Sequence, residues 1–343
     1  MIKKIKQNCI IPSAAYGVTR AQAKYYQPLD KVPQMGDLMY GEVTSIGHHV
    51  LLESQAARIH SIDDGTFSIF VVGARYAVDQ FEGIVPTSMP DVFSLISMGG
   101  IIGELKSKNA MIADPTQIKA HGYVCDKEGN VINTRDFAAI QSKQKERRPA
   151  KRAKMILCIG TSMNSGKSLV AAKCCHALAS MGKKVRAAKI TGTASQKDIL
   201  LMEDSGAEKI ADFTYLGYPS TYQLNEAELL NIFTTIDLKY GNNPQNYWVV
   251  EIADGILQRE TALLLASDIV RQRTHRLILT ARDTCGIAGG LALLNTHYGL
   301  TPHVVSGLCS SSPLSIGELE PITTIPIFNS LTGHFSELYE LIK

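Results

Sequence analysis

Between Met155 and Ser168 the chain reads MILCIGTSMNSGKS: an apolar run, a loop of small residues ending in Gly-Lys-Ser, then residues that suit a helix. Few folds accept that order of textures. A buried strand must feed a tight turn whose backbone amides, with the N-terminal end of the next helix, face one anionic ligand. Gly166 lets the backbone approach a polyphosphate, Lys167 neutralises its outer charges, and the Ser168 hydroxyl is a ligand for Mg²⁺. The residues expected around the phosphates are Gly160, Thr161, Asn164, Ser165, Gly166, Lys167, Ser168 and Leu169.

From 155 onward, apolar runs alternate with segments of helical period, which predicts a doubly wound, mostly parallel α/β sheet covered by helices on both faces. Strands are expected near 155–160, 184–189, 247–252, 276–281, 303–308 and 323–328, and helices over 167–181, 225–239, 258–267, 285–297 and 334–342. Ligands of such sheets sit beyond the carboxyl ends of the strands, so chemistry is expected from the residues that close each run.

Residues 1–140 have another texture. Short β-rich stretches such as GEVTSIGHHVLLES and TFSIFVVGARYA are separated by turn residues, with hairpin signals at Asp64-Gly65 and Glu128-Gly129-Asn130. This predicts a small barrel or sandwich. His48-His49 in a strand would point to opposite faces, which argues against a shared metal. His60, Arg75-Tyr76 and Asp114-Pro115-Thr116 are polar residues to which the pattern assigns no task.

Residues 141–154, QSKQKERRPAKRAK, read as an exposed basic linker between 1–140 and 155–343. Such a run also suits phosphate, so a nucleic-acid backbone or a polyanionic substrate stays open as its partner. The net charge of +3 over 343 residues does not by itself demand nucleic acid. The seven cysteines are irregularly spaced, none as CxxC, and suit neither a disulfide framework nor a zinc site. Cys174 and Cys175 are expected in the core. The first residues lack the apolar segment of a signal peptide, and no run is apolar enough to span a membrane, so the cytoplasm is the expected location.

The run 247–252 ends in Glu251-Ile252-Ala253-Asp254-Gly255. An acid closing an apolar strand beside a phosphate loop is a second anchor for Mg²⁺, a role open to Glu251 or Asp254. Asp198, Asp204 and Asp212 are further acids available to complete that site or act as a base; Asp212, set between apolar residues, ranks first. Thr280-Ala281-Arg282-Asp283 faintly resembles the Thr-Lys-x-Asp that reads guanine in GTPases, with alanine at the lysine position. Arg259 could pair with an anionic substrate, and Trp248 is expected in the core.

The loop from Gly160, Gly-Thr-x-x-x-x-Gly-Lys-Ser, resembles that of dethiobiotin synthetase and of the cobyrinic and cobyric acid synthesis enzymes, which are P-loop NTPases. In dethiobiotin synthetase-like proteins the strand equivalent to 247–252 ends in Glu-Gly-x-Gly, and its glutamate helps hold the metal. Glu251 stands there in this chain, with Ile252 in place of the next glycine. Lys189-Ile190-Thr191-Gly192-Thr193 and Ala211-Asp212-Phe213 resemble segments of an allied family associated in part with N-acylation of D-amino acids. Thr193 replaces the glutamine of that family's Thr-Gly-Gln-Thr-Gly turn. The resemblance covers about residues 155–330. It implies ATP and Mg²⁺ as cofactors, with the adenine enclosed by 307–313, and phosphorylation of a small, carboxylate-bearing acceptor. Lys167, Glu251 and Asp212 are then the expected catalytic residues, and Ser168, Glu251 and Asp212 the expected metal site. The loops 191–198 and 254–261 would enclose the acceptor, and a homodimer is implied. A second reading, an ATPase switch or assembly factor whose N-terminal domain binds a protein or nucleic acid, follows from the separate domain and basic linker.

Overall fold

The computed structural model describes residues 1–141 and 151–343, so 142–150 of the expected linker 141–154 lie outside the described residues. The chain forms two compact units. The first holds Met1–Gln141 together with Gly192–Lys197 and Phe213–Gln223; the second holds the remaining described residues. The sequence pattern alone places both short segments in the domain that starts at 155. Among the described residues no helix is long and apolar enough to cross a membrane.

The first unit contains β1 (Lys3–Lys4), β2 (Tyr25–Gln27), β3 (Leu38–Ser45), β4 (Leu51–Glu53), β5 (Ile59–Ser61), β6 (Phe67–Val72), β7 (Arg75–Tyr76), β8 (Phe81–Ile84), β9 (Phe93–Ser97), β10 (Ile101–Lys108) and β11 (Gln117–Cys125). Strand β11 pairs β3, β3 pairs β6, β6 pairs β10, β10 pairs β9, and β9 returns to β11. That circuit closes a five-stranded barrel, antiparallel except at β6–β10. Alternation sorts the side chains. Met39, Val43, Phe70, Val72, Phe93, Leu95, Ile102, Ile118 and Tyr123 share one core. Leu38, Tyr40, Ile69, Val71, Ile96, Ile101 and Val124 face outward under the segment that carries Cys9, Ile11, Ala14 and Val18.

His48 and His49 depart from the strand reading. They lie in the loop after β3, with ring centroids 5.0 Å apart and both rings edge-on to Phe81. The chain turns at Gly47, where a Cβ would meet Asp114 O at 2.1 Å. Asp64-Gly65 forms a turn, but β5 and β6 that flank it do not pair with each other.

The second unit is built on a six-stranded sheet in the order β14-β13-β15-β12-β16-β17, every pair parallel. The strands are β12 (Lys154–Gly160), β13 (Lys184–Lys189), β14 (Lys209–Asp212), β15 (Asn246–Glu251), β16 (Thr274–Ala281) and β17 (Val304–Gly307). Helices α1 (Lys167–Ser180), α2 (Lys197–Asp204), α3 (Glu226–Tyr240), α4 (Arg259–Ala266), α5 (Asp268–Arg273), α6 (Thr284–Leu293), α7 (Pro313–Leu319) and α8 (Phe335–Ile342) follow in chain order. Helix α3 starts on a capping box in which Asn225 and Glu228 satisfy each other's backbone amides, worth about 1 kcal/mol. Trp248 is fully buried, its ring 5.5 Å from that of Phe233.

The strand expected at 323–328 is reduced to an isolated parallel bridge between Val305 and Ile327. Pro326 has no amide to donate, and only its carbonyl joins the ladder, accepting from Val305 N at 2.9 Å. The sixth strand is instead β14, whose four residues leave too short a periodic signal to read. At the start of the unit, Ala153 N donates to Gly241 O at 2.9 Å, and Arg152 joins Arg273 on the buried Asp237 carboxylate. Arg152 and Ala153 thus belong to the packed domain and not to a solvated linker, because a buried carboxylate needs such partners.

Candidate functional site

Strand β12 runs straight into the loop 160–166, and α1 begins at Lys167 with Gly166 as its N-cap at φ +98°. A left-handed cap is open to glycine and costly for other residues. The same backbone form recurs at Asn164, φ +57°, and at Asp254, φ +61°. Non-glycine residues in that region are uncommon and gather at functional sites.

The common phosphate loop reads Gly-x-x-x-x-Gly-Lys-Ser/Thr, which would put its first glycine at 161; here Gly160 and Thr161 each have a packing reason. At Gly160, a Cβ would stand 2.2 Å from Ser165 Oγ and 2.9 Å from Thr280 Oγ1, and those two hydroxyls bond each other at 2.8 Å. Thr161 takes the next position because α6 leaves room for it. A Cβ on Gly290 would lie 2.7 Å from Thr161 Cγ2, and one on Gly286 3.4 Å from Thr161 Oγ1. The loop is held from two further sides. Gly255 would clash with Thr161 O at 2.4 Å if it carried a Cβ, and Gly307, at φ +107°, would clash with Ser165 O at 2.4 Å. Leu308 N donates to Ser165 O at 3.2 Å.

Three charged groups are buried beside this loop. Lys167 Nζ donates to Ser162 O at 2.8 Å, and burial pulls the ammonium below its ordinary range against the pull of Glu251 and Asp254. Ser168 Oγ donates to Glu251 Oε1 at 3.1 Å. Glu251 is 1% exposed, and its Oε2 has no hydrogen-bond partner among the described residues. Burial raises this carboxyl above the usual carboxylate range, with Lys189 opposing. Lys189 closes β13 with its Nζ 3.9 Å from Glu251 Oε1 and hydrogen-bonded to Asp198 Oδ2. Burial alone would lower its ammonium, but the two carboxylates outweigh that and hold it above its ordinary range.

The register explains which acids meet. Lys189 stands opposite Glu251 on one side and Asp212 on the other. Two strand spacings, roughly 10 Å, therefore separate the backbones of Glu251 and Asp212. Asp212 is buried at the end of β14. Asp198 reaches Lys189 from the start of α2, whereas Asp204, at the far end of that helix, is exposed. Arg259, expected to meet a substrate, gives Nη1 to Leu224 O at 3.0 Å and to Glu260 Oε1 at 2.5 Å. Asp283 caps α6, accepting from Gly286 N at 2.7 Å. Cys174 and Cys175 are buried in α1.

Gly286 and Gly290 escape a reading of local motifs, and Lys189 and Thr280, quoted there within motif segments, were given neither the buried ion pair nor the loop contact they make. Lys189 had one legible signal, since it ends an apolar strand where a cation must otherwise be solvated.

Parallel strands with this loop between the central strand and its helix constitute the fold of the P-loop NTPases. No protein-family model matches the sequence, and no curated protein matches it. Among solved structures the chain is similar to the signal recognition particle receptor FtsY of Elizabethkingia anophelis in complex with GDP. That match has 11% identity and a TM-score of 0.39, over 60% of this chain and 70% of the other. It is also similar to a ParA family ATPase of Chlorobium tepidum TLS, at 13% identity and a TM-score of 0.36, over 55% of this chain and 88% of the other. The assignment of the fold rests on the strand order and the loop.

Proposed function

We propose that the second unit binds ATP with Mg²⁺ and transfers its terminal phosphoryl group to a small, carboxylate-bearing acceptor, as a dethiobiotin synthetase-like enzyme. The observation that carries the nucleotide part is the Ser168–Glu251 hydrogen bond beside the phosphate loop, with Glu251 Oε2 buried and unpartnered among the described residues. A buried carboxylate oxygen next to a serine hydroxyl fits a hard cation that takes its other ligands from phosphate and water. Ser168 and Glu251 would hold Mg²⁺, which when bound would neutralise charge on the phosphates. Lys167 exchanges the Ser162 carbonyl for phosphate oxygens, and the loop amides orient the chain of phosphates for in-line transfer. Lys189, at the next strand end, supplies the positive charge that favours an anionic acceptor. The resemblance to dethiobiotin synthetase-like proteins, which enclose the adenine at the position of 307–313, supports ATP over GTP.

The test is nucleotide binding and phosphate release by wild type, Lys167→Ala and Glu251→Gln, with ATP or GTP, Mg²⁺ and a panel of small carboxylates and amines. Turnover raised by one acceptor class and lost in both variants supports the enzyme. Wild type without affinity for either nucleotide removes the proposal. One observation favours the second reading, a nucleotide-driven switch. The segments Gly192–Lys197 and Phe213–Gln223, which follow β13 and β14 in sequence, belong to the barrel unit. Slow hydrolysis indifferent to every small acceptor, but accelerated by a macromolecule, would select it.

A further inference from the structure

The outer face of the barrel carries a feature that nucleotide chemistry does not use. Four aromatic side chains from four neighbouring strands lie side by side there. Tyr26 of β2 is 4.6 Å from Tyr40 of β3, Tyr40 is 5.6 Å from Phe67 of β6, and His121 of β11 is 5.4 Å from Phe67 and 6.1 Å from Tyr40. Tyr40 is the buried floor, while Tyr26, Phe67 and His121 remain partly open.

One cation lies on these rings, and two more stand beside them in the strand register. Lys6 Nζ sits 3.4 Å above the Phe67 ring, which marks an electron-rich face that a cation can reach. Exposed Lys3 stands opposite Tyr26 in the β1–β2 pairing, and directly opposed residues project to the same side of a sheet. Exposed Lys119 stands opposite Glu42 on β11, and the Glu42 carboxylate accepts from His121 Nε2 at 2.9 Å. The charge is polarised in sequence as well. Lys3, Lys4, Lys6, Arg20 and Lys24 precede the first acid of the chain, Asp30.

We infer that this face binds single-stranded nucleic acid: Lys6 leaves the Phe67 ring for a phosphate, bases stack on Phe67 and the adjoining rings, and Lys3 and Lys119 pair with further phosphates. Stacking on aromatics flanked by a basic track is how sequence-tolerant sites grip an unpaired strand, and small five-stranded barrels present such sites on their strand faces. A duplex hides its base faces and can use only the lysines. The inference does not rest on the nucleotide reading.

The experiment is fluorescence anisotropy of the full chain, without nucleoside triphosphate. The probes are labelled oligouridylate and oligothymidylate of about 20 nucleotides, long enough to cover one barrel, and a duplex of equal length. Wild type is expected to prefer the single strands. The triple variant Lys3→Glu, Lys6→Glu, Lys119→Glu should bind about tenfold or more weakly and reduce the slope of log affinity against log salt by about 2. Phe67→Ala should bind about tenfold more weakly, and Phe67→Trp should retain binding. Lys239→Glu, on exposed α3 surface of the other unit, should bind as wild type. If melting shows that Phe67→Ala unfolds the barrel, Phe67→Trp and the charge variant decide. Absence of binding at low salt, equal binding by the triple variant, equal affinity for duplex, or capture by anionic phospholipid vesicles but not by oligonucleotides would each overturn the inference.

Discussion

Both units bury charged side chains, and they satisfy them differently. In the barrel unit, Asp37 Oδ2 accepts from Gln34 N at 2.9 Å and from Lys31 Nζ at 2.7 Å, while its Oδ1 accepts from Asn133 Nδ2 at 3.0 Å. Glu53 takes Gln196 N on both oxygens, at 3.2 and 3.1 Å. These acids pin loops. In the second unit, Lys189 and Glu251 at strand ends and Lys167 at the start of α1 are gathered around one loop, and Glu251 keeps an oxygen unpartnered among the described residues. A parallel sheet sends every carboxyl end to the same side, so residues far apart in sequence converge there. A mostly antiparallel barrel sends successive ends to opposite rims and spreads its polar groups over its outside. The difference gathers buried charge around one loop in the second unit and spreads it among separate loops in the first.

The largest effect expected from breaking this contrast is on the barrel core. Phe70→Ala removes a fully buried ring and should cost about 3–5 kcal/mol, read by urea unfolding of the full chain. A loss under 1 kcal/mol would mean that the interior is not the close-packed one described. Next comes Lys167→Ala, expected to lower nucleotide turnover by about 10²–10³-fold with little change in the melting temperature. A large loss of stability with turnover retained would place Lys167 among the structural charges. Gly307→Ala should be milder, about 1–3 kcal/mol, because a methyl group at φ +107° meets Ser165 O. Calorimetric titration of the same variant should show weaker nucleotide binding, since the displaced carbonyl belongs to the phosphate loop.

The effect that is smallest when counted per pH unit concerns His49. Burial, then Arg75 and His48, lower the His49 imidazole from its ordinary 6.5 to about 3. The folded chain therefore keeps His49 neutral while the unfolded chain protonates it as pH falls below 6.5. Its contribution is fully present above that pH and is lost toward pH 3, at no more than about 1.4 kcal/mol per pH unit. His49→Gln should flatten the stability profile over that window in denaturant titrations, and an unchanged profile would show that His49 titrates normally.

How much of this was legible beforehand differs by unit for a physical reason. The strands and helices around Met155–Ser180 could be read because continuous apolar runs and a glycine-lysine-serine turn are local signals. Strand β14 and the bridge at Ile327 could not, since a four-residue strand and a proline-broken run carry almost no period. In the site, Ser168 and Glu251 were readable from their place after apolar strands. The meeting of Lys189 with Asp198 was not, because six residues between them, Gly192–Lys197, pack in the other unit. The double histidine misled for a related reason: alternation across GEVTSIGHHVLLES gives no sign that Gly47 must turn against Asp114.

The sequence by itself determined the phosphate loop, the alternation that makes a parallel sheet, and the β-rich character of the first 140 residues, because each depends on neighbours within a few residues. Only the tertiary structure decided the rest. The closing of the barrel through β9, the glycines of α6 that admit Thr161, and the aromatic ladder over four strands all rest on contacts between residues distant in the chain. Such contacts are selected by packing and by the burial of charge, which no local pattern records.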